Sequence, residues 1–489
     1  MTCLTKISST ALGAMLALTV NAKKSDRPNI IFILLDDMGK EWVENFGADD
    51  IKTPNIDKLA NSGIKFTNTY SMPQCTPSRV TLLTGQYPFN HGWVNHYDVP
   101  RWGHGVHFDV SKNPSYAKSL TQAGYKTCAA GKWQLNDFRL EPDAMVDVGF
   151  QEYCMWTGAE GGGDLIKTGQ RYWNPYIHTK KGSKTYKDKF GEDVFSDFII
   201  DFMAKNKKEP MMVYYPMCLP HGPLTTTPLE PDAPKKEKHK AMVRYADHIL
   251  GKIVNAVDSL GLRENTIIFW TTDNGTSGNI IGHIHGRPVR GGKTCLSENG
   301  INAPLIVSAP GMIKPNQVSD ELIDFTDMMP TFCDLAGASM DRNYSYDGYS
   351  FAPILKGETS ETEREWIVAL GSHGGYFEQD RVVNSYEYRD RAIRNKRYKA
   401  YVDTTGHIYE IVDLKSDFYE HCNLINSGDP EIISTIKTFQ SIVDKFPKKD
   451  HTPNYVKLKD SYYDIPANRM YNMCQKSKKR PNKSKLPIK

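Results

Sequence analysis

Residues 28–35 form a nearly unbroken apolar run that stops abruptly at Asp36-Asp37-Met38-Gly39. So short a run, without polar alternation, reads as a strand buried on both faces, and such a strand needs a layer above and below it. The pattern recurs. A helix expected over residues 114–123 exits at Gly124 into an apolar segment, 125–130, that meets Gly131-Lys132-Trp133-Gln134. A helix over 192–205 precedes a strand over 211–218, which ends at Leu219-Pro220-His221-Gly222-Pro223. A helix over 236–260, with Met242, Ile249, Ile253 and Val257 on one face, precedes a strand over 266–271 that ends at Asp273-Asn274-Gly275. This alternation predicts an α/β fold with a large, mostly parallel central sheet covered by helices. Each chemically loaded tetrapeptide follows the C-terminal end of an apolar strand, where open α/β sheets bind their ligands.

The densest signal lies in Ser71-Met72-Pro73-Gln74-Cys75-Thr76-Pro77-Ser78-Arg79. It reads as a helix start, with Thr76 as cap, Pro77 at the first helical position and Gly85 at the exit. Cys75 is then expected just before a helix N-terminus, where free N–H groups favour negative charge. A buried thiol packed as a small hydrophobe is the simpler account of an isolated cysteine, but the polar and proline neighbours weigh against it. Cys75-Thr76-Pro77-Ser78-Arg79 resembles the C-x-P-x-R signature of the type I sulfatases. Thr81-Leu82-Leu83-Thr84-Gly85-Gln86-Tyr87-Pro88 and His91-Gly92 look like its continuation. The resemblance implies an alkaline-phosphatase-like fold and oxidation of Cys75 to formylglycine by a formylglycine-generating maturation enzyme. It also implies attack by the aldehyde hydrate on sulfur, giving a covalent sulfo-enzyme.

Asp36-Asp37 taken alone could cap a helix or face solvent; Asp273-Asn274 at the end of another strand changes that reading. Three carboxylates and an amide oxygen, with no Cys or His beside them, describe a hard-cation site, Ca²⁺ before Mg²⁺. By resemblance Asp36, Asp37, Asp273 and Asn274 hold calcium, with the modified Cys75 as a further ligand. Lys132 and Lys293 could be surface charges, yet a bound sulfate needs fixed cations, and with Arg79 they would supply them. The family's Gly-Lys-Trp and Gly-x-Lys-x-x-x-x-Glu motifs match at Lys132, and at Lys293 with Glu298. The resemblance gives Arg79 the task of steadying formylglycine, and Lys132 that of bridging it to the sulfate. A lone histidine is usually structural, but His221 follows a strand end and matches the family's sulfate-contacting histidine. An ordinary pKa near 6.5 would let it protonate a leaving alcohol. Where the family reads Gly-Lys-Trp-His this chain has Gln134, and its Glu-Gly-Gly is Glu298-Asn299-Gly300.

Substrate contacts are expected from loops that mix aromatics with cations: Arg101-Trp102-Gly103-His104, Arg171-Tyr172-Trp173, and His283-Ile284-His285-Gly286-Arg287. From these, Arg101, Trp102, His104, Arg171, His285 and Arg287 are candidates for an anionic sugar. His283 and His285 as a zinc pair lack a third ligand.

Composition is ordinary for a globular chain of 489 residues, with 39% hydrophobic and 24% charged residues, which excludes wholesale disorder. The net charge of +4 is concentrated in residues 476–489, six Lys and one Arg with no acid, so the rest is slightly acidic. Lys6 precedes an apolar run from Ala11 to Val20, and Val20-Asn21-Ala22 looks like a cleavage site. A signal peptide over residues 1–22 is therefore expected, giving a secreted or periplasmic protein with no membrane span. Of nine cysteines, Cys3 leaves with the signal and Cys75 is reserved for chemistry. Seven remain, so no complete disulfide framework follows, although one or two bridges are possible. Cys128 and Cys333, in apolar segments, are expected as buried thiols.

From about Thr359 the texture changes to strands near 366–370, 391–402 and 407–412, then a helix over 431–446. This suggests a small antiparallel sheet with a helix packed on it. Asp413-Leu414 with Asp417, Glu420 and Asn423-Leu424 resembles the family's terminal domain. The expected organisation is a catalytic domain over 23–358, a C-terminal subdomain over 359–472 and a basic tail over 473–489. The reading is a calcium-dependent sulfatase acting on a sulfated polysaccharide or oligosaccharide, with no nucleic-acid partner. The competing readings are a phosphodiester or phosphonate monoester hydrolase of the same fold, and a non-catalytic binder of sulfated glycans.

Overall fold

A computed structural model describes residues 27–95, 107–158, 170–378 and 381–456. The expected signal peptide, Arg101, Trp102, His104 and the basic tail lie outside the described residues. Ten strands form the main sheet: β1 (Asn29–Leu35), β2 (Ile64–Tyr70), β3 (Lys126–Lys132), β4 (Glu152–Trp156) and β5 (Tyr176–Thr179). The others are β6 (Gly182–Thr185), β7 (Met211–Pro216), β8 (Thr266–Thr272), β9 (Asn302–Ser308) and β10 (Gln317–Asp324). Their spatial order is β10-β2-β9-β8-β1-β7-β3-β4-β5-β6. The central block β8-β1-β7-β3-β4 is parallel throughout. Only β9 and β5 run against it, so β2 and β10 share its direction.

β1 is buried on both faces, as its sequence requires. Ile30, Phe32 and Leu34 face one apolar core and Ile31, Ile33 and Leu35 the other. The first core is closed by helices Cys75–Thr84, Tyr116–Gln122 and Met328–Ala336, and the second by Pro54–Asn61, Gly191–Asn206 and Lys238–Ser259. Each large apolar side chain removed from water in these layers stabilises by roughly 1.5–3 kcal/mol.

The C-terminal region builds a four-stranded antiparallel sheet from Ile367–Leu370, Arg391–Arg394, Tyr398–Val402 and Ile408–Asp413, in that order. Residues 391–402 are a hairpin rather than one strand, because Asn395 closes a turn by accepting the Tyr398 and Arg397 amides. Helix Pro430–Val443 packs on the last two strands. Cys128, Cys154, Cys218 and Cys333 are buried thiols and Cys422 is an exposed one, none of them in a disulfide. No helix among the described residues is long and apolar enough to cross a membrane.

Candidate active site

The sheet order explains why residues far apart in sequence meet. β8, β1, β7 and β3 are adjacent and parallel, so their C-terminal ends release Asp273, Asp36, the loop to His221, and Lys132 along one edge. β2 runs the same way and delivers Cys75 to that edge. Antiparallel β9 begins there, so the preceding loop brings Lys293. Backbone bonds tie the ends together: the Asp36 amide donates to Leu219 O and the Asp273 amide to Leu35 O, both at 2.9 Å. Gly131 has φ 120°, and a Cβ there would lie 2.1 Å from Pro216 O, so glycine is needed for Lys132 to close against β7.

Helix Cys75–Thr84 starts at Cys75 itself, two residues earlier than its sequence suggests. Gln74 is the extended cap residue, and no side chain caps from that position. The Ser78 hydroxyl instead ties the first turn to the preceding chain, accepting the Met72 amide at 3.1 Å and donating to Met72 O at 3.0 Å. Pro77 is tolerated because first-turn amides have no intrahelical partner. Cys75 is thus the first helical residue, buried, with the positive end of the helix beneath it. Gly85 ends the helix in the left-handed conformation, φ 68°, as expected.

Three acids and three bases converge. Lys132 Nζ donates to Asp36 Oδ2 at 2.6 Å. Arg79 Nη2 donates to Asp273 Oδ2 at 2.7 Å and lies 3.8 Å from Asp36. Lys293 Nζ reaches the Asp37 carboxylate at 2.7 Å, and Asn274 Nδ2 donates to Asp37 Oδ1 at 2.8 Å. Donor atoms of Asp36, Cys75 and Asp273 all lie within 4.8 Å of one another. Burial would raise the Asp36 and Asp37 carboxyls, but Lys132 beside the first and Lys293 beside the second, with His221, hold both below the usual range. Asp273 goes the other way, to about 7, pushed by burial and by the Asp36 charge against the pull of Arg79.

Two oxygens stand apart from this pairing. Asp36 Oδ1 and Asn274 Oδ1 are buried without a hydrogen-bond donor. A buried oxygen left unmet costs roughly 1–3 kcal/mol, more if charged. Three carboxylates and an amide, with one carboxylate oxygen and the amide oxygen left without donors, fit a hard cation, so the residues present suit calcium.

His221 Nε2 lies 3.5 Å from Asp37 Oδ2, while Nδ1 faces Gly222 O at 2.6 Å and Arg171 Nη1 at 3.1 Å. Burial pushes the ring down to about 3, more than Asp36 and Asp37 raise it, so the ordinary pKa does not apply here. Arg171 also stacks on Trp156, its guanidinium carbon 4.0 Å from the ring centroid. Gln134 has φ 67° and a buried Oε1 with no partner. His285 and Arg287 belong to the hairpin Ile281–Arg290, where His285 lies against Gly47 and Arg287 over the Phe418 ring. His283 is bound to Asp50 at 2.7 Å, and no cluster of three metal-donor groups among the described residues includes either histidine.

Several supporting residues carry little sequence signal. Glu192 is buried with its carboxyl pushed up to about 7 by burial; it accepts the Cys218 amide at 2.8 Å and the Tyr215 hydroxyl. Its helical spacing to Phe195 and Ile199, on the buried face, could have exposed it. The Tyr172 hydroxyl donates to Cys218 O and His221 O from the other side. Ser372, from the C-terminal sheet region, donates to the Gln74 side chain, a contact across nearly three hundred residues that no local pattern predicts.

The chain is similar to known proteins along most of its length. The sulfatase family model matches residues 28–338, and the model of the C-terminal region of N-sulphoglucosamine sulphohydrolase matches 292–448. Arylsulfatase A of Bos taurus is 27% identical over 490 residues, covering 88% of this chain and 90% of the relative. An N-acetylgalactosamine-6-O-sulfatase of Bacteroides thetaiotaomicron is 27% identical, covering 71% and 80%. The crystal structure of Ps i-CgsB superposes with a TM-score of 0.72 at 24% identity, covering 92% of this chain and 98% of that one. The chain belongs to the sulfatase family and is an enzyme that hydrolyses sulfate esters.

Proposed function

We propose that this sulfatase is exported, depends on calcium, carries formylglycine at position 75 and acts on sulfated carbohydrate. The observation that carries the reading is the buried, unmet oxygens of Asp36 and Asn274 beside Cys75 at a helix N-terminus. Asp36, Asp37, Asp273 and Asn274 would hold the calcium, with the modified residue 75 as a further ligand. Calcium held there would offset the charge of a bound sulfate and favour ionisation of the hydroxyl that hydrated formylglycine at residue 75 would supply.

This chain's own residues do the rest. Arg79, fixed by Asp273 and Lys132 O, steadies residue 75. Lys132 and Lys293 present ammonium groups to the sulfate oxygens from two sides. His221 Nε2 passes a proton to the leaving oxygen, and the charge of a bound sulfate raises the ring from its depressed value. Gln134 hydrogen-bonds in the release half of turnover but takes no proton at neutral pH. Arg171, pinned between Trp156 and His221, contacts the sugar beside the ester.

The substrate class is supported by relatives: an ulvan-active sulfatase of Formosa agariphila is 27% identical over 399 residues. A solved complex of Ps i-CgsB, 25% identical with a TM-score of 0.71, holds k-i-k-neocarrahexaose. We place the catalytic domain at 23–358 and the subdomain at 359–472, after a signal peptide ending near Ala22. Peptide mass spectrometry on active protein should find the aldehyde at position 75; full activity with only a thiol there refutes the modification. Aryl sulfate and aryl phosphodiester assayed side by side, then sulfated oligosaccharides, should give kcat/KM highest for the glycans. A preference for small aryl sulfates contradicts the substrate class, and one for the diester contradicts the reaction.

A further inference from the structure

The turn Asp417–Cys422 presents three rings to solvent from a backbone that the interior holds rigid. Phe418 and Tyr419 are 40% and 39% exposed, too open to be core, and His421 is exposed beside them. The rings touch in sequence: Phe418 and Tyr419 have centroids 5.0 Å apart, and Tyr419 stacks on His421 at 5.6 Å and 19°. Across from them Arg287, also exposed, lies over Phe418 at 5.2 Å.

Glu420, between the rings, points inward with φ 58°, a left-handed conformation that persists only where surroundings enforce it. Its carboxylate accepts the Glu298 amide at 2.8 Å and the Tyr401 hydroxyl at 2.7 Å, and meets Lys399 at 2.7 Å. The Cys422 amide closes the turn on Asp417 at 2.7 Å. An aromatic surface held this firmly loses little entropy on binding.

Its placement is informative. Arg287 precedes Lys293 by six residues on the strand Arg287–Arg290, and Glu298 follows Lys293 by five. The two halves of the surface are therefore fastened to the two ends of the loop that carries Lys293 into the active site.

We infer that Arg287, Phe418, Tyr419 and His421 form an accessory subsite that grips a sulfated polysaccharide at residues removed from the scissile ester. Ring faces suit the C–H faces of sugars, and the guanidinium suits their sulfates in charge and in planar, bidentate geometry. The inference rests on the glycan reading of the substrate and adds that chain length matters.

The test uses full-length protein with ulvan, carrageenan and chondroitin sulfate, each as long chains and as di- or trisaccharides. On whichever polymer the wild type desulfates, Phe418→Ala/Tyr419→Ala should lower kcat/KM for long chains by about 10- to 50-fold relative to short ones. Calorimetry on the Cys75→Ala protein should show the same loss in affinity for the long chain. Arg287→Ala, which removes no packed ring, should show a smaller loss of the same kind and guards against misfolding of the double variant. Equal losses on long and short substrates, or none, overturn the subsite and leave the glycan reading standing. Turnover of aryl sulfate alone, with no sulfated glycan accepted, overturns both. A dimer that the double variant breaks into monomers would assign the surface to a second copy and overturn the inference too.

Discussion

Two clusters of buried charge sit five residues apart along the chain, one reached by Lys293 and the other by Glu298. Both balance formally: Asp36, Asp37 and Asp273 against Arg79, Lys132 and Lys293 in the first, Glu298 and Glu420 against Arg394 and Lys399 in the second. Charge count does not separate them; hydrogen-bond satisfaction does. Glu298 accepts from Tyr70 at 2.6 Å, Asn302 at 2.8 Å and Arg394 at 3.2 Å, and pairs with Lys399 at 3.1 Å. Lys399, fully buried, is shared with Glu420. Every oxygen of that cluster is met, and it fastens the C-terminal sheet to the catalytic layer. In the first cluster Asp36 Oδ1 and Asn274 Oδ1 have no donor. The second network is complete as a fastening, whereas the unmet oxygens of Asp36 and Asn274, among three acids, suit a cation.

The largest effect is expected at the nucleophile. Cys75→Ala should lower turnover on the order of 10⁶-fold, as loss of a catalytic nucleophile does, while circular dichroism and melting stay close to wild type. Next, Asp273→Asn should abolish calcium binding and lower kcat by roughly 10²–10³, the scale of a lost electrostatic stabiliser. Isothermal calorimetry read alongside kinetics checks that the two are lost together.

Glu298→Gln is the control in the other cluster. It should cost about 3–5 kcal/mol of stability, because it leaves Lys399 and Arg394 short of a counter-charge, yet leave calcium affinity unchanged. Burial would raise the Glu298 carboxyl, but Lys399 and Arg394 hold it at about 2. Its folded pKa is thus depressed, so its contribution is present above the unfolded value near 4.5 and is lost as pH falls from there through 2. Denaturant midpoints should drop across that window in wild type and less so in Glu298→Gln. The smallest effect concerns Gln134. Rapid mixing should show a burst of released alcohol, and Gln134→His should shrink the burst and raise kcat by about 10-fold or more. Histidine is among the residues that tolerate the left-handed backbone there. A lower kcat/KM without any burst would mean that Gln134 reads the substrate.

The contrast between the clusters also marks what the sequence reveals. The carboxylates were legible because apolar runs end on them, and strand order then follows from burial on two faces. The C-terminal sheet and its helix were legible by the same rule. The start of the Cys75 helix differs from the sequence reading because no side chain caps it: Gln74 takes the cap position, and Ser78 ties the first turn back to Met72. The Glu298 network was not legible. Its partners, Tyr70, Arg394, Lys399 and Glu420, are scattered over some 350 residues, and only the folded register of the C-terminal sheet brings them together.

The central claim, that the Asp36 cluster is a calcium site and the Glu298 cluster is not, is tested most directly by melting after exhaustive chelation and after calcium is restored. Calcium at about a thousand times its dissociation constant should stabilise wild type by roughly 4 kcal/mol and restore activity. Glu298→Gln should gain as much from its lower baseline, and Asp273→Asn nothing. Full activity in protein shown by elemental analysis to be metal-free, or an equal calcium gain in Asp273→Asn, would contradict the account.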